Sequence, residues 1–227
     1  MNRIFLSSAA LAAACFANTA LAQSADAGDR GRWQVKVMAT GVLPDGKIDA
    51  VKHDAIGLPA GSQAHATDSV IPTLAVEYFA TPNLSVETIC CLTKRRVRGA
   101  GALSGAHLVD HVLILPATAT VKYHVPLGPI RPYVGVGPSL FVVMGEKAGA
   151  DARARGATRV KMSNELGVAL QGGVDIPVSP SMGISFDAKR YFIGTTARFY
   201  TAAGVKALET KHTLDPWLVS GGVSFRF

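Results

Sequence analysis

The sequence has few cysteines, few charged residues and no long hydrophobic run beyond residue 25, and each shortage excludes a class of protein. Three cysteines are too few for a small disulfide-stabilised scaffold. Charged residues make up 17% of the 227 residues and apolar residues 48%, which excludes a disordered chain. The longest later stretch without Asp, Glu, Lys or Arg is residues 132–145, whereas a transmembrane helix needs about 20 residues. The composition therefore favours a β-rich protein.

The N-terminus has the pattern of a cleaved secretion signal. Arg3 supplies the positive start, an apolar stretch follows, and Ala-Leu-Ala at 20–22 is a small-x-small cleavage pattern. We therefore predict a signal peptide at residues 1–22 and one exported domain at residues 23–227. An uncleaved anchor and lipoprotein processing at Cys15 are the weaker alternatives, because no basic stop follows and the usual upstream leucine is missing.

Eight segments alternate between two kinds of residue with a period of two, the pattern of a β-strand with two different faces. In the fourth segment, Thr118, Thr120 and Lys122 are separated by single small or apolar residues. The eight segments are residues 33–40, 73–78, 84–91, 117–125, 133–142, 165–175, 184–191 and 217–227.

Short and long connections alternate between these segments. Short turns are predicted at 81–83, 126–129 and 179–181, and long polar loops at 43–69, 94–112, 145–162 and 195–213. This layout predicts an all-β fold: an eight-stranded antiparallel transmembrane β-barrel with four long extracellular loops and three short periplasmic turns. An even strand number places both chain ends on the periplasmic side.

The same strands could also form a soluble sandwich or a lipocalin-like barrel, with the apolar faces turned inward. The aromatic residues favour the membrane barrel, because with apolar faces outward they gather at the periplasmic ends of the strands as a girdle. These residues are Trp33, Tyr78, Tyr123, Phe186, Phe225 and Phe227.

Several motifs make the sequence resemble the outer membrane protein W (OmpW) family. They are PTLAVEYF at 72–79, TPNLSVE at 81–87, LP at 115–116, YH at 123–124, RPYVG at 131–135, DPW at 215–217 and the closing FRF at 225–227. The resemblance implies a barrel with a hydrophobic channel, passive uptake of small apolar molecules and, in some members, colicin reception. The terminal aromatic alternation is of the kind that the barrel-assembly machinery reads, so Phe227 is the predicted contact with that partner. A Cys90-Cys91 pair and Pro138 depart from the family pattern and leave the ligand open.

Strand parity assigns charged residues to the lower inside of the barrel. We interpret them as an ionic plug across the lumen, since buried charges persist when they are paired. A network that stabilises the barrel without a role in transport is the other interpretation. The residues are Lys36, Glu77, Glu87, Lys122, Asp175, Asp187, Lys189 and Arg226.

The upper inward positions are apolar instead, which predicts a ligand-binding cup open to the outside. Its residues are Met38, Ile89, Phe141, Val143, Tyr191 and Leu218. Because a ligand could not easily cross the charges below, we expect lateral exit into the bilayer. Pro116 and Pro138 lack a backbone N–H and are the candidates for a weakened wall, although each could simply mark a strand end or a bulge.

Basic residues near the strand tops predict contact with lipopolysaccharide phosphates, with solvated loops as the alternative. They are Lys94, Arg95, Arg96, Arg98, Arg153, Arg155, Arg159 and Lys161. The other expected partners are outer-membrane lipid and a small hydrophobic ligand, whereas nucleic acid is excluded for an exported barrel. No catalytic set, metal site or cofactor is predicted, and we expect a monomer. The predicted function is passive uptake of small hydrophobic molecules through a narrow apolar lumen. The competing hypothesis is a non-transporting structural or stress-response barrel that contacts lipopolysaccharide and serves as a receptor surface.

Overall fold

The structure, a computed structural model, describes residues 31–90 and 93–227, with the backbone alone at positions 90, 93–95 and 111. The predicted signal peptide, Cys15 and Cys91 lie outside the described residues. The elements in chain order are β1 (Trp33–Leu43), β2 (Lys47–Asp54), β3 (Ser62–Ala66), β4 (Ser69–Phe79), β5 (Leu84–Cys90), β6 (Thr93–Gly101), β7 (His107–His124), β8 (Arg131–Ala148), α1 (Ala150–Ala154), β9 (Arg159–Met162), β10 (Glu165–Pro177), β11 (Met182–Phe192), β12 (Gly194–Tyr200), β13 (Lys206–Thr213) and β14 (Trp217–Arg226).

Eight of these strands form a closed antiparallel ring. The order is β7-β5-β4-β1-β14-β11-β10-β8, and β8 pairs back with β7. The two ends of the chain meet where the first and last strands pair, because Trp33 and Phe227 exchange backbone N–H to carbonyl hydrogen bonds of 2.9 Å in both directions. This confirms the predicted eight-stranded barrel.

Three short turns and both described chain ends lie at one end of the barrel, called here the turn end. At the first turn the Thr81 hydroxyl accepts the backbone N–H of Leu84 at 2.9 Å, and at the third the Ser179 hydroxyl accepts that of Met182 at 3.1 Å. The second turn passes through Gly128 at φ +64°, a conformation that favours glycine.

The opposite, extended end contains the four long connections. They are present as predicted, but much of their length forms further strands: β2, β13, β12 and β9 make a separate four-stranded sheet, and β3 and β6 lengthen the sheet of the barrel. In β12, for example, the buried side chains of Thr195, Ala197 and Phe199 alternate with partly exposed neighbours. The barrel wall therefore continues beyond its eight-stranded part.

Among residues 31–90 and 93–227, no helix is long and apolar enough to cross a membrane.

The faces of the wall are polar inside and apolar outside. On β1, Lys36 is completely buried while its neighbour Val37 is 50% exposed, and on β7 the buried Lys122 follows the 49% exposed Val121. In water such an apolar exterior would be unfavourable, because each exposed side chain forfeits about 1.5–3 kcal/mol of burial free energy. The exterior is suited to lipid.

Candidate functional site

Buried charges fill the lumen of the barrel toward the turn end. The Nζ of Lys122 lies 2.9 Å from a Glu77 carboxylate oxygen and 2.8 Å from one of Glu87. The Nζ of Lys36 is 3.0 Å from the same Glu77 oxygen and 3.1 Å from Asp175. All five side chains are at most 9% exposed.

A second group of charges continues this arrangement on β11. Lys189 Nζ is 3.0 Å from Glu87 and 2.7 Å from Asp187, and Gln171 donates to both carboxylates at 2.9 and 2.6 Å. The Tyr133 hydroxyl donates to Asp187 at 2.7 Å. We call Lys36, Glu77, Glu87, Lys122, Asp175, Asp187 and Lys189 the charged cluster.

Strand parity predicts that Arg226 belongs to the charged cluster. In the structure it lies instead where the lumen opens at the turn end. Its guanidinium stacks over the Phe79 ring at 3.7 Å and its Nε donates to the Gly31 carbonyl at 2.8 Å. The difference arises because β14 ends at this residue, below the level of the cluster. His124 joins the cluster instead, with its Nε2 2.9 Å from Glu77.

An apolar layer lies directly above the charged cluster. Phe141 and Tyr191 pack edge to face with ring centroids 5.3 Å apart, and Leu218 belongs to the same buried group. Met38 and Ile89 form a neighbouring group with Ala75. Five of the six predicted cup residues therefore lie in this layer, and the sixth, Val143, packs against apolar residues further toward the extended end.

The open space lies one level beyond this layer, inside the extended end. It is an apolar chamber of about 100 Å³, and none of the six predicted cup residues is among the described residues that line it. Apolar lining residues include Ile48, Leu58, Leu108, Met162, Phe199 and Leu208. An engineered apolar cavity of about 150 Å³ accepts benzene, so in this smaller, partly open chamber a single ring is the upper limit of guest size and a short alkyl chain fits more easily.

One side of the chamber is polar. Thr195, Thr210 and His212 line it, and the Thr210 hydroxyl is 2.8 Å from His212 Nε2. Burial lowers the pKa of His212, against an opposing effect of Asp49, so the imidazole is neutral at pH 7. The chamber thus offers hydrogen-bonding groups to an otherwise apolar guest.

The wall beside the chamber has a seam between β8 and β9. Among the described strands, β10 pairs with β8 as far as Glu165 opposite Phe141, and β9 pairs with β12 instead. Two side chains bridge the gap: Asn164 accepts the N–H of Val143 at 2.8 Å, and Glu146 accepts that of Met162 at 3.1 Å. Two such hydrogen bonds replace a continuous ladder, which makes the β8–β9 seam a weak part of the wall.

Comparisons with known proteins agree with this architecture. The family model described as "OmpW family" matches residues 29–227. The chain belongs to the OmpW family. Its place is therefore the outer membrane, in the lipid bilayer, with the extended end on the extracellular side.

Two relatives of this OmpW-family chain show how similar its sequence is to those of other proteins. An uncharacterized outer-membrane protein, y4mB, of Sinorhizobium fredii is 35% identical over 201 residues, covering 86% of this chain and 80% of the relative. The dibenzothiophene metabolism operon protein PahQ of Pseudomonas aeruginosa is 28% identical over 172 residues, covering 75% and 77%.

Solved structures show the same fold. OprG from Pseudomonas aeruginosa superposes with a TM-score of 0.76 at 22% identity, covering 88% of this chain and 97% of OprG. AlkL, solved in lipid bilayers, superposes with a TM-score of 0.71 at 20% identity, covering 88% and 91%.

Each of the two prolines predicted to weaken the wall of this OmpW-family barrel is paired on one of its two sides. On the β7 side of Pro138, the described pairs pass from Thr118–Ser139 to Val121–Val136 and leave Pro138 out. Pro138 is opposite Val168 in a run of the β8–β10 ladder without a register shift, and its side chain is exposed on the outside. Pro116 is opposite Phe141 on β8. On its other side, the described pairing of β7 ends at Thr118 with β5 and resumes at Ile114 with β6. A role for either proline in opening stays a prediction.

The predicted basic residues separate into three places. Arg153, Arg159 and Lys161 line an open cleft on the outside of the extended end, Arg155 lines the chamber, and Arg96 and Arg98 are exposed on β6. The side chains of Lys94 and Arg95 lie outside the described residues. Lys147 also lines the cleft, although it falls within the loop predicted at 145–162 and is not among the predicted basic residues.

Proposed function

We propose that this barrel takes up small hydrophobic molecules passively, binding them in the chamber at its extracellular end. The observation that carries the proposal is an apolar space of about 100 Å³ placed directly above a packed apolar layer and a charged cluster. Binding there removes apolar surface from water, which is favourable by roughly 25 cal/mol per Å². The polar side of the chamber accommodates one hydrogen-bonding group on the guest.

The guest leaves sideways rather than through the turn end. Passage through the charged cluster would bring an apolar molecule between buried ion pairs and separate them, and breaking such a pair costs several kcal/mol. Met162 connects the two features, because its side chain lines the chamber and its backbone N–H is held by Glu146 across the β8–β9 seam. Outside the seam lie the exposed apolar side chains of Leu140 and Leu166, which face lipid.

Two relatives support an apolar aromatic guest. PahQ of Pseudomonas aeruginosa and DoxH of a Pseudomonas strain, each 28% identical to this chain, are named for a dibenzothiophene metabolism operon. Dibenzothiophene is a fused aromatic compound, larger than the chamber as it stands, so a single-ring compound is the better probe for this chain.

The test of this function compares an apolar solute with ions. Vesicles with lipopolysaccharide in the outer leaflet, which slows the entry of apolar solutes, should take up toluene faster with the mature protein than without it, while their single-channel conductance in salt stays at the background. The reason is that the chamber accepts apolar solutes whereas the charged cluster closes the lumen. Steady conductance without accelerated toluene uptake would contradict the proposal and favour a polar pore. Absence of both would favour the structural or receptor-surface alternative.

Locking the seam should stop uptake. Val142 and Asn164 would be the next pair in register beyond Phe141 and Glu165. Neighbouring strands place such pairs about 4.5–5.5 Å apart, within the span of a disulfide. A V142C/N164C variant, made with serine at the two native positions 90 and 91, should take up toluene at the protein-free rate when oxidised and recover when reduced.

The prolines provide the matched comparison for this experiment. P116A and P138A each restore a backbone N–H to the wall. If the seam is the exit, both variants should keep the uptake rate of the parent protein. If P116A lost uptake while the oxidised V142C/N164C variant took up toluene normally, the exit would lie at Pro116. That result would contradict an exit through the seam.

A further inference from the structure

We propose that the outer surface of the extended end binds the phosphate groups of a lipid headgroup, in a basic cleft beside the β8–β9 seam. The cleft has a volume of about 660 Å³ and is open to the outside. Its charged lining consists of Lys147, Arg153, Arg159, Lys161 and Glu146. This site is separate from the chamber and does not depend on the uptake function.

The cleft has an excess of positive charge. Glu146 is the acidic residue among the described lining, and one of its oxygens is engaged by the Met162 N–H at 3.1 Å. Arg153 is partly compensated by Asp110, 3.1 Å away. For the remaining three cations, no carboxylate lies within ion-pair distance among the described side chains: they are Lys147, Arg159 and Lys161. An anion would therefore be attracted to a site whose cations are largely uncompensated.

The fold directs these cations away from the chamber. On β9, Arg159 and Lys161 are exposed on the outer face, whereas Val160 between them is 5% exposed and packs in the interior. Lys147 is exposed on the outer part of β8, and the exposed guanidinium of Arg153 reaches the cleft from α1. Arginine suits phosphate because its planar guanidinium can donate two parallel hydrogen bonds.

The height of the cleft matches the level of lipid headgroups. On β8 the exposed apolar side chains run from Val134 to Met144. Ten residues at about 3.3 Å each, tilted by roughly 40°, span about 25 Å, which is the height of the apolar band of an outer-membrane barrel. Lys147 follows three residues after the end of this band. Phosphates of the outer leaflet lie just above the hydrocarbon, at this level.

A lipid fits better than a free anion because apolar surface continues from the cleft. Leu166, which is 73% exposed, and Met144, which is 39% exposed, lie just below it on the same outer face. A phosphorylated lipid can place its headgroup among the cations and its acyl chains along these side chains. Tyr200, partly buried in the cleft lining, is of the aromatic type enriched at membrane interfaces.

The test measures binding of lipid A with and without its phosphates. The mature protein is placed in phosphatidylcholine nanodiscs, and bound lipid A is counted by native mass spectrometry. The parent protein should retain phosphorylated lipid A and lose the dephosphorylated form. R159Q/K161Q should bind phosphorylated lipid A about 30-fold more weakly, because each Lys or Arg near an anionic surface contributes a factor of roughly five. The matched control K52Q/K211Q, which changes two exposed lysines of β2 and β13, should bind as the parent does.

Three results would overturn the proposal. They are equal binding of both lipid A forms, an equal loss in the control variant, and displacement of lipid A by inorganic phosphate at similar concentrations, which would indicate a free-anion site. Should R159Q/K161Q fail to fold, K147Q and the salt dependence of the parent protein replace it. Lipid A binding should then be about fivefold weaker in K147Q, and binding to the parent protein should fall with rising salt. If neither change affected lipid A binding, phosphate binding in the cleft would be contradicted.

Discussion

Replacing Lys122 by methionine should lower the free energy of unfolding of the barrel by about 3–5 kcal/mol. The ammonium group bridges Glu77 and Glu87 at 2.9 and 2.8 Å and lies 3.7 Å above the Tyr133 ring, and it is completely buried. Removing it leaves two buried carboxylates with fewer cations, and an uncompensated buried charge is costly. Urea unfolding in lipid vesicles, followed by tryptophan fluorescence, measures the loss.

The control for this prediction is K52M, at an exposed lysine of β2, which should change the free energy of unfolding by less than about 0.5 kcal/mol. A second variant separates charge balance from packing. E77Q combined with K122M should cost less than the sum of the two single changes, because the carboxylate left unpaired has been neutralised. Strict additivity would contradict the cooperative cluster.

Filling the chamber should abolish uptake. Ala197 is 5% exposed, lines the chamber and is held in ladders with Met162 and Thr210. A phenyl ring at A197F would occupy space of the size that one small guest needs. Forcing a guest in beside the added ring would overpack the site at a cost of about 1–3 kcal/mol, which corresponds to a roughly 5- to 150-fold loss of guest occupancy. Toluene uptake by vesicles should fall accordingly, toward the protein-free rate.

The matched control is A202F in the exposed turn between β12 and β13, which should leave uptake unchanged. Circular dichroism and the shift of the folded band in electrophoresis establish that both variants form barrels. If A197F does not fold, A152L on α1 fills the chamber from its other side. Normal uptake by a folded, filled variant would show that the chamber is not on the path.

The interior of the barrel proper could be predicted in detail from alternation. In a strand, neighbouring side chains point to opposite faces. Once one residue is known to face inward, the orientation of every other residue in the strand follows. This placed Lys36, Glu77 and Lys122 on the inside without knowledge of their distances. The inward orientation of Gln171 and Tyr133, which bind the same carboxylates, follows from the same parity, but an uncharged side chain gives no sign in the sequence that it belongs to a charged cluster.

The extended end could not be predicted in the same way. In the membrane an outward residue must be apolar, so alternation is visible as apolar against polar. Beyond the bilayer the outer face meets water. Arg198 and Lys211 stand there, and each is the sequence neighbour of a buried residue, Ala197 and Thr210 respectively. Strands with polar and charged residues on the outer face resemble polar loops in the sequence, and the predicted cup therefore lies one level below the chamber.

What the sequence by itself determined is the membrane-spanning barrel: its strand number, its outward face, and which charges point inward, because lipid on one side forces a two-residue period. The tertiary structure alone decided where the apolar chamber lies. Whether an inward side chain packs or leaves a cavity depends on its neighbours from other strands, as Tyr191 packs on Phe141 while Phe199 borders the chamber. The β8–β9 seam and the basic cleft likewise depend on tertiary pairing: β9 follows β8 closely in the sequence but pairs with β12, and no local pattern encodes that choice.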